Sequence, residues 1–223
     1  LDFAFKSFFQ RVKKGQKPGF PRFKGEGRYD SFTFLVGNGG VLKGQYLTIK
    51  YIGRFKIKLH RPIEGKIKTF TVRLGGDNHW YVSISCEDVP EKVLPKTGKE
   101  IGIDVGLDSF FADSDNYKEP NPRFFKNSEE DLAGAQQVLS RRVKKSKNWY
   151  DAKKKVSKIH TKIRNRRNDF TVKLARKYIR DYDLIVVEDL QIKSMVRNNK
   201  LSKSIKDAAW GSFFNWLHCK AEE

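Results

Sequence analysis

Apolar residues recur along this chain first at helical spacing, then at every second position, then at helical spacing again between two short β-branched runs. Over residues 1–14, Leu1, Phe5, Phe8, Phe9 and Val12 share one helical face and Lys6, Arg11, Lys13 and Lys14 lie elsewhere. This predicts an amphipathic helix that stops at Gly15 and packs against another part of the chain. From Tyr29 to Glu87 the period is two, with strands predicted at 31–36, 46–51, 54–60, 66–74 and 80–86 between glycine-rich breaks. Short strands at this spacing predict a small β-barrel, with Phe55-Lys56-Ile57-Lys58-Leu59 giving it a basic outer face. Further on, Ser128-Glu129-Glu130-Asp131 reads as a capped helix start, followed by Leu132, Ala135, Leu139 and Val143. A break at Ser146-Lys147-Asn148 precedes a second stripe, Trp149, Ala152, Val156, Ile159, Ile163, Phe170 and Leu174, so residues 128–181 are expected to form an antiparallel helical hairpin. Lys193 to Ser204 reads as a loop, and Ile205, Ala209, Phe213, Trp216 and Lys220 as one side of a final helix, widened by Trp210 and Phe214.

Two runs flank the hairpin, and each carries a carboxylate. In Ile101-Gly102-Ile103-Asp104-Val105-Gly106-Leu107, strand alternation puts Ile101, Ile103 and Val105 on one face, and Gly102, Asp104 and Gly106 on the other. The glycines are expected to leave that face open beside Asp104 to a substrate backbone or a metal. Ser109 to Asp113 and a turn at Ser114-Asp115-Asn116 predict an antiparallel partner and a meander. Leu184-Ile185-Val186-Val187-Glu188 is a continuous apolar run, expected to be a strand buried on both faces that ends at Glu188. Acids among Ile and Val are costly unless paired or metal-bound, and two at adjacent strand ends suit a divalent metal with a phosphate substrate.

Charge narrows the partner. The 223 residues carry a formal net charge of +20, which points to a polyanion, with nucleic acid first. Between Arg141 and Arg180 stand 17 Lys and Arg against only Asp151 and Asp169, a net +15 on the hairpin. Repulsion among like charges on adjacent turns opposes helix formation, and a bound polyanion relieves it. The candidate nucleic-acid contacts there are Arg141, Arg142, Lys144, Lys145, Lys147, Lys153, Lys154, Lys155, Lys158, Lys162, Arg164, Arg166 and Arg167. Lys17-Pro18-Gly19-Phe20-Pro21-Arg22-Phe23-Lys24 adds Lys17, Arg22 and Lys24 on an extended arm, where cations and Phe interleave as for phosphate contact and base stacking. Phe20 and Phe23 could equally pin the arm to the core. Cys86 and Cys219 are isolated, with no CxxC, so neither a disulfide framework nor a zinc site is indicated. No apolar run approaches the roughly 18 residues of a membrane span and no signal-peptide pattern opens the chain, so a cytoplasmic protein without membrane contact is expected. Leu1 at the start, and Lys220-Ala221-Glu222-Glu223 continuing a helix without a cap, read as cut ends.

The order of these elements, an Asp-x-Gly strand, a meander, a helical insertion and a strand ending in Glu, is that of the RNase H-like fold. The wording is more specific. Gly102-Ile103-Asp104-Val105-Gly106-Leu107, Asn121-Pro122-Arg123-Phe124, Leu139-Ser140-Arg141-Arg142, Asp169-Phe170, Val187-Glu188-Asp189-Leu190 and Lys203-Ser204-Ile205-Lys206-Asp207-Ala208-Ala209-Trp210-Gly211 resemble, in order, the TnpB (OrfB) family of insertion-sequence proteins, related to type V CRISPR effectors. Lys17 to Lys24 and Tyr29-Asp30-Ser31-Phe32 resemble its N-terminal half. The resemblance implies an RNA-guided DNA endonuclease, with guide RNA and target DNA as partners and a RuvC-like domain that cuts with Mg2+ or Mn2+. By motif position it assigns Asp104 and Glu188 as catalytic, metal-binding carboxylates, and gives Asp108 and Asp189 no such role. The family's third acid and its zinc ribbon match nothing here, and Asp207 is no substitute, so Zn2+ is expected only beyond this chain, which is expected to be inactive by itself.

The resulting expectation is an α/β protein: a helix and basic arm over residues 1–28, a wedge-like (OB-like) barrel over 29–95, and a truncated RuvC/RNase H-like domain over 96–223 with the hairpin inserted at 128–181. Two alternatives stay open: a non-catalytic RNA- or DNA-binding module, and an actin-like ATPase, whose phosphate loop also opens with Asp-x-Gly.

Overall fold

The structure is a computed structural model and describes residues 2–23, 25, 28–37, 39–91 and 93–222. Its contacts divide the chain into two units, one of Leu1–Gly75 with His79–Asp88, the other of Gly76–Asn78 with Val89–Glu223.

In the first unit, helix α1 (Asp2–Lys13) buries no residue. Its expected packing partner is the arm itself: Phe20 meets Phe5 and Phe8 edge-on, at centroid distances of 5.8 and 5.4 Å. Six strands follow: β1 (Ser31–Leu35), β2 (Gly40–Lys43), β3 (Tyr46–Ile49), β4 (Gly53–Lys56), β5 (Lys66–Leu74) and β6 (Trp80–Glu87). They form two antiparallel three-stranded sheets, β1-β5-β6 and β2-β3-β4, rather than one closed barrel. Among the described residues only an isolated bridge between Val36 and Gly40 adds to these ladders. Leu47 and Ile49 of one sheet and Phe70 and Val72 of the other make a small shared core. Strand β2 starts at Gly40, the last glycine of a stretch read as a break, and runs where no strand was expected. The 54–60 prediction overshot, because the Phe55–Leu59 alternation outlasts the ladder: β4 ends at Lys56, Phe55 stays half-exposed, and Ile57 N–H donates to the Gln45 carbonyl.

The second unit holds a mixed sheet of β7 (Glu100–Val105), β8 (Ser109–Asp113), β9 (Lys118–Pro120) and β10 (Leu184–Val187), in the order β10-β7-β8-β9. The expected meander is antiparallel, and β10 joins the other edge of β7 in parallel after a long helical crossover. That crossover is the hairpin, α2 (Glu129–Ser140) and α3 (Lys147–Asp181). The Ser146 hydroxyl caps α3 by accepting Trp149 N–H at 3.1 Å. Ser128 does not cap α2; its hydroxyl donates to the Phe124 carbonyl, and a 3-10 turn over Lys126–Ser128 makes the entry instead. The chain closes with α4 (Ile192–Met195), α5 (Ser202–Ala208) and α6 (Trp210–Ala221). The expected single final helix is thus broken at Ala209, whose φ of +60° is left-handed, and the expected loop contains α4 and the start of α5.

One face of this sheet supplies the core. Ile101, Ile103, Phe110 and Phe111 pack against Leu174, Ala175 and Tyr178 of α3 and Phe213 and Leu217 of α6. Each fully buried large side chain contributes about 2 kcal/mol. Tyr178 OH donates to Asp113 at 2.7 Å; burial first, then that carboxylate, push the phenol far above its usual range and keep it a neutral donor.

Candidate nucleic-acid and metal site

The helices cover the Ile101 and Ile103 face of β7, so Asp104 stands on the other face and is exposed. The parallel register pairs Val186 with Gly102 and Val187 with Ile103. The paired register ends there: β10 stops at Val187 and Glu188 is the next residue, as Asp104 follows Ile103 on β7. Within the strand, alternation puts Val186 on the side of Gly102 and Asp104. Glu188 is exposed as well, and the chain turns at once, with Leu190 N–H donating to the Glu188 carbonyl. Among the described residues no three His, Cys, Asp or Glu side chains gather into a metal-binding cluster.

Two expectations about these strands need correction. Strand β10 is not buried on both faces: among the described residues β7 is the only strand beside it, and Leu184 and Val186 are 49% and 58% exposed. The glycines do not simply clear a space. Gly102 faces Ser114, whose hydroxyl accepts its N–H at 3.1 Å, and a Cβ on Gly106 would stand 3.2 Å from the Ser109 carbonyl oxygen. Gly106 therefore serves the tight β7–β8 turn.

Three polar side chains that the sequence reading did not place hold this geometry. Asn121 donates to the Leu107 carbonyl at 2.9 Å and fixes the turn after Asp104. Asp183, one residue before β10, accepts Thr97 N–H at 2.9 Å, Gly98 N–H at 2.8 Å and the Thr97 hydroxyl at 2.9 Å. These donors, the Thr97 and Gly98 backbone first, hold its carboxyl below the usual carboxylate range and lock the start of β10 to the start of β7. Asp207, 8% exposed, accepts Phe125 N–H at 2.8 Å, Lys126 N–H at 3.1 Å and Arg167 Nη2 at 2.9 Å. The signal was available in Ile205-Lys206-Asp207-Ala208-Ala209, because an acid in an apolar stretch needs partners.

Most of the candidate cations are exposed. Arg141, Arg142, Lys144 and Lys145 lie around the hairpin bend, and Lys147, Lys153, Lys154, Lys155, Lys158, Lys162, Arg164 and Arg166 lie along α3, all exposed. Lys154, Lys158, Lys162 and Arg166 repeat at four-residue spacing and so form a row on the helix. Arg167 is different: half-buried and committed to Asp207, it belongs to the core of this unit rather than to the free surface. On the arm Lys17 and Arg22 are exposed; Lys24 lies outside the described residues. The arm's aromatics divide the two readings, since Phe20 packs on α1 while Phe23 is 87% exposed. No helix among the described residues is long and apolar enough to cross a membrane.

This mixed α/β architecture carries exposed acids at or just past the ends of neighbouring strands and a cationic hairpin. The OrfB_IS605 family profile, described as a probable transposase, matches residues 83–199, and the chain belongs to that family. It is 31% identical over 99% of its length to a protein of Streptomyces pristinaespiralis named "Putative RNA-guided DNA endonuclease". It is 27% identical over 94% of its length to "Putative RNA-guided DNA endonuclease InsQ" of Escherichia coli K12. The chain spans about half of either relative, 54% in both cases.

Proposed function

We propose that this chain is the part of an RNA-guided DNA endonuclease that grips nucleic acid through its basic hairpin and supplies two carboxylates of a RuvC-like cleavage centre. The observation that carries the reading is the parallel register of β10 on β7 up to Val187 opposite Ile103, which supports a placement of Glu188 next to Asp104 just past the paired residues. The strand order β10-β7-β8-β9, with a helical crossover entering the parallel strand, supports an RNase H-like scaffold. Two exposed carboxylates on neighbouring strands fit a hard divalent cation, so Asp104 and Glu188 are the residues that would hold Mg2+ or Mn2+. Such an ion supplies charge neutralisation at the scissile phosphate and an activated water. Guide RNA and target DNA are the proposed partners. The exposed cations of the bend and α3, with Lys17 and Arg22 of the arm, would neutralise their phosphates.

The test compares this chain with its longer parent protein in a DNA cleavage assay with guide RNA and Mg2+ or Mn2+. The parent is expected to cut, and to lose at least about 100-fold in rate on Asp104→Ala or Glu188→Ala, the scale set by removing a group that stabilises developing charge. The chain alone is expected not to cut. Equal turnover by the chain alone, or unimpaired cutting by either variant, overturns the assignment.

A further inference from the structure

The sheet of the second unit sets a cation in line with Asp104. The antiparallel register pairs Asp104 of β7 with Ala112 of β8, and Ala112 with Lys118 of β9. Residues directly opposite one another in a sheet share a face, so these three side chains form one row on the face away from Ile101 and Ile103. The neighbours of Lys118 bear this out. Tyr117 receives the Lys177 ammonium of α3 over its ring at 5.2 Å, and Glu119 accepts the Tyr117 hydroxyl and lines a cleft against Phe170 and Leu174 of α3. Both therefore look toward the helices, and alternation turns Lys118 the other way.

The two charges at the ends of this row are unspent. Asp104 and Lys118 are exposed, and neither side chain has a partner among the described residues. Two strand spacings, about 10 Å between backbones, hold them apart. Between them Ala112 presents only a methyl group, and the adjoining row holds Gly102 and Ser114, which are also small. A free acid and a free ammonium on either side of such a gap suit a strand of phosphates: one phosphate near the acid, where a divalent cation is held, and a neighbouring one on the lysine.

We propose that Lys118 binds a phosphate of the DNA strand beside the one that is cut, and so holds that strand across the sheet for cleavage. The proposal rests on the reading of Asp104 as a carboxylate of the cleavage centre and adds a substrate contact to it.

The longer parent protein provides the test. Measured without divalent metal, Lys118→Ala should reduce the log-log salt slope of affinity for a single-stranded oligonucleotide by about 0.7, and Lys118→Arg, which keeps the charge, should restore it. In the cleavage assay with guide RNA, Lys118→Ala should slow cutting about tenfold, the scale of one hydrogen bond from a charged group. Neutral methylphosphonates placed singly on either side of the scissile bond should reveal one position that costs the parent protein about as much and costs Lys118→Ala nothing further. A lysine that only guards the sheet edge against pairing would leave slope, rate and scan unchanged, and that result overturns the proposal. So does a scan in which no position is silent in Lys118→Ala. If Asp104→Ala abolishes cutting while Lys118→Ala does not slow it, the cleavage reading stands and only the lysine contact falls. If Asp104→Ala cuts normally, or the parent protein does not cut, both fall together.

Discussion

Arg167 on α3 donates from Nη2 to Asp207 on α5 at 2.9 Å, and the same carboxylate accepts the N–H groups of Phe125 and Lys126 just before α2. One buried acid thus ties the hairpin entry, the long helix and the C-terminal helices together. Breaking a buried ion pair strands the remaining charge, which typically costs about 3 kcal/mol or more. Asp207→Ala should lower the stability measured by urea unfolding by that amount, and Arg167→Ala by nearly as much. The double variant should be well short of additive; full additivity would mean the pair is not coupled.

That pairing changes how the basic surface is tested. A substitution set containing Arg167 confounds binding with folding. Lys154→Ala, Lys158→Ala and Lys162→Ala together remove three exposed cations from one helix row and should leave thermal stability nearly unchanged. For a single-stranded oligonucleotide, the log-log slope of affinity against salt should fall in magnitude by about 0.7 for each phosphate that is no longer neutralised. An unchanged slope would reduce the row to a solvated face.

Acid should loosen β10 selectively. The Asp183 carboxyl is held below the ordinary carboxylate range by the Thr97 and Gly98 N–H groups, so the unfolded chain takes up its proton first. The stabilisation is complete above the unfolded value, about pH 3.9, and is lost as pH falls through the lower folded value. Hydrogen exchange at β10 amides should therefore accelerate below about pH 4, ahead of the rest of the sheet. In Asp183→Ala that pH-dependent step should vanish; its persistence would place the titrating group elsewhere.

How far the sequence carried these conclusions depended on the range of the interaction involved. Local periodicity located α2, α3, β5 and β6, because each is long enough to show its own face. It failed where tertiary pairing decides. Strand β2 forms from Gly40–Lys43 because β3 pairs with it, although glycine argues against a strand there. The final helix breaks at Ala209, a residue with high helix propensity, because Ile205 and Phe213 are both buried in the same core and a left-handed residue separates their helices. The alternation around Asp104 identified its exposed side. It did not reveal the Asn121 and Asp183 hydrogen bonds, which join residues 14 and about 85 positions apart. Arg167 is indistinguishable in sequence from Arg166; only the fold shows that one is bound to Asp207 while the other is exposed.

The register of β10 on β7 makes a prediction about metal binding that does not need turnover. If Asp104 and Glu188 hold one cation between them, Mn2+ added to the 15N-labelled chain should broaden amide signals at both strand ends together, at the same ion concentration. Paramagnetic broadening falls steeply with distance, so residues around Asp104 and Glu188 should vanish before Asp108, which lies beyond the β7–β8 turn. Two carboxylates make a weak site, so Mg2+ in excess should reverse the effect. Asp104→Ala should abolish broadening at Glu188 as well as at its own strand, since neither acid alone retains a divalent ion against water. Broadening that persists around Glu188 in that variant would mean the acids bind separately, and the shared centre proposed for this face would have to be abandoned.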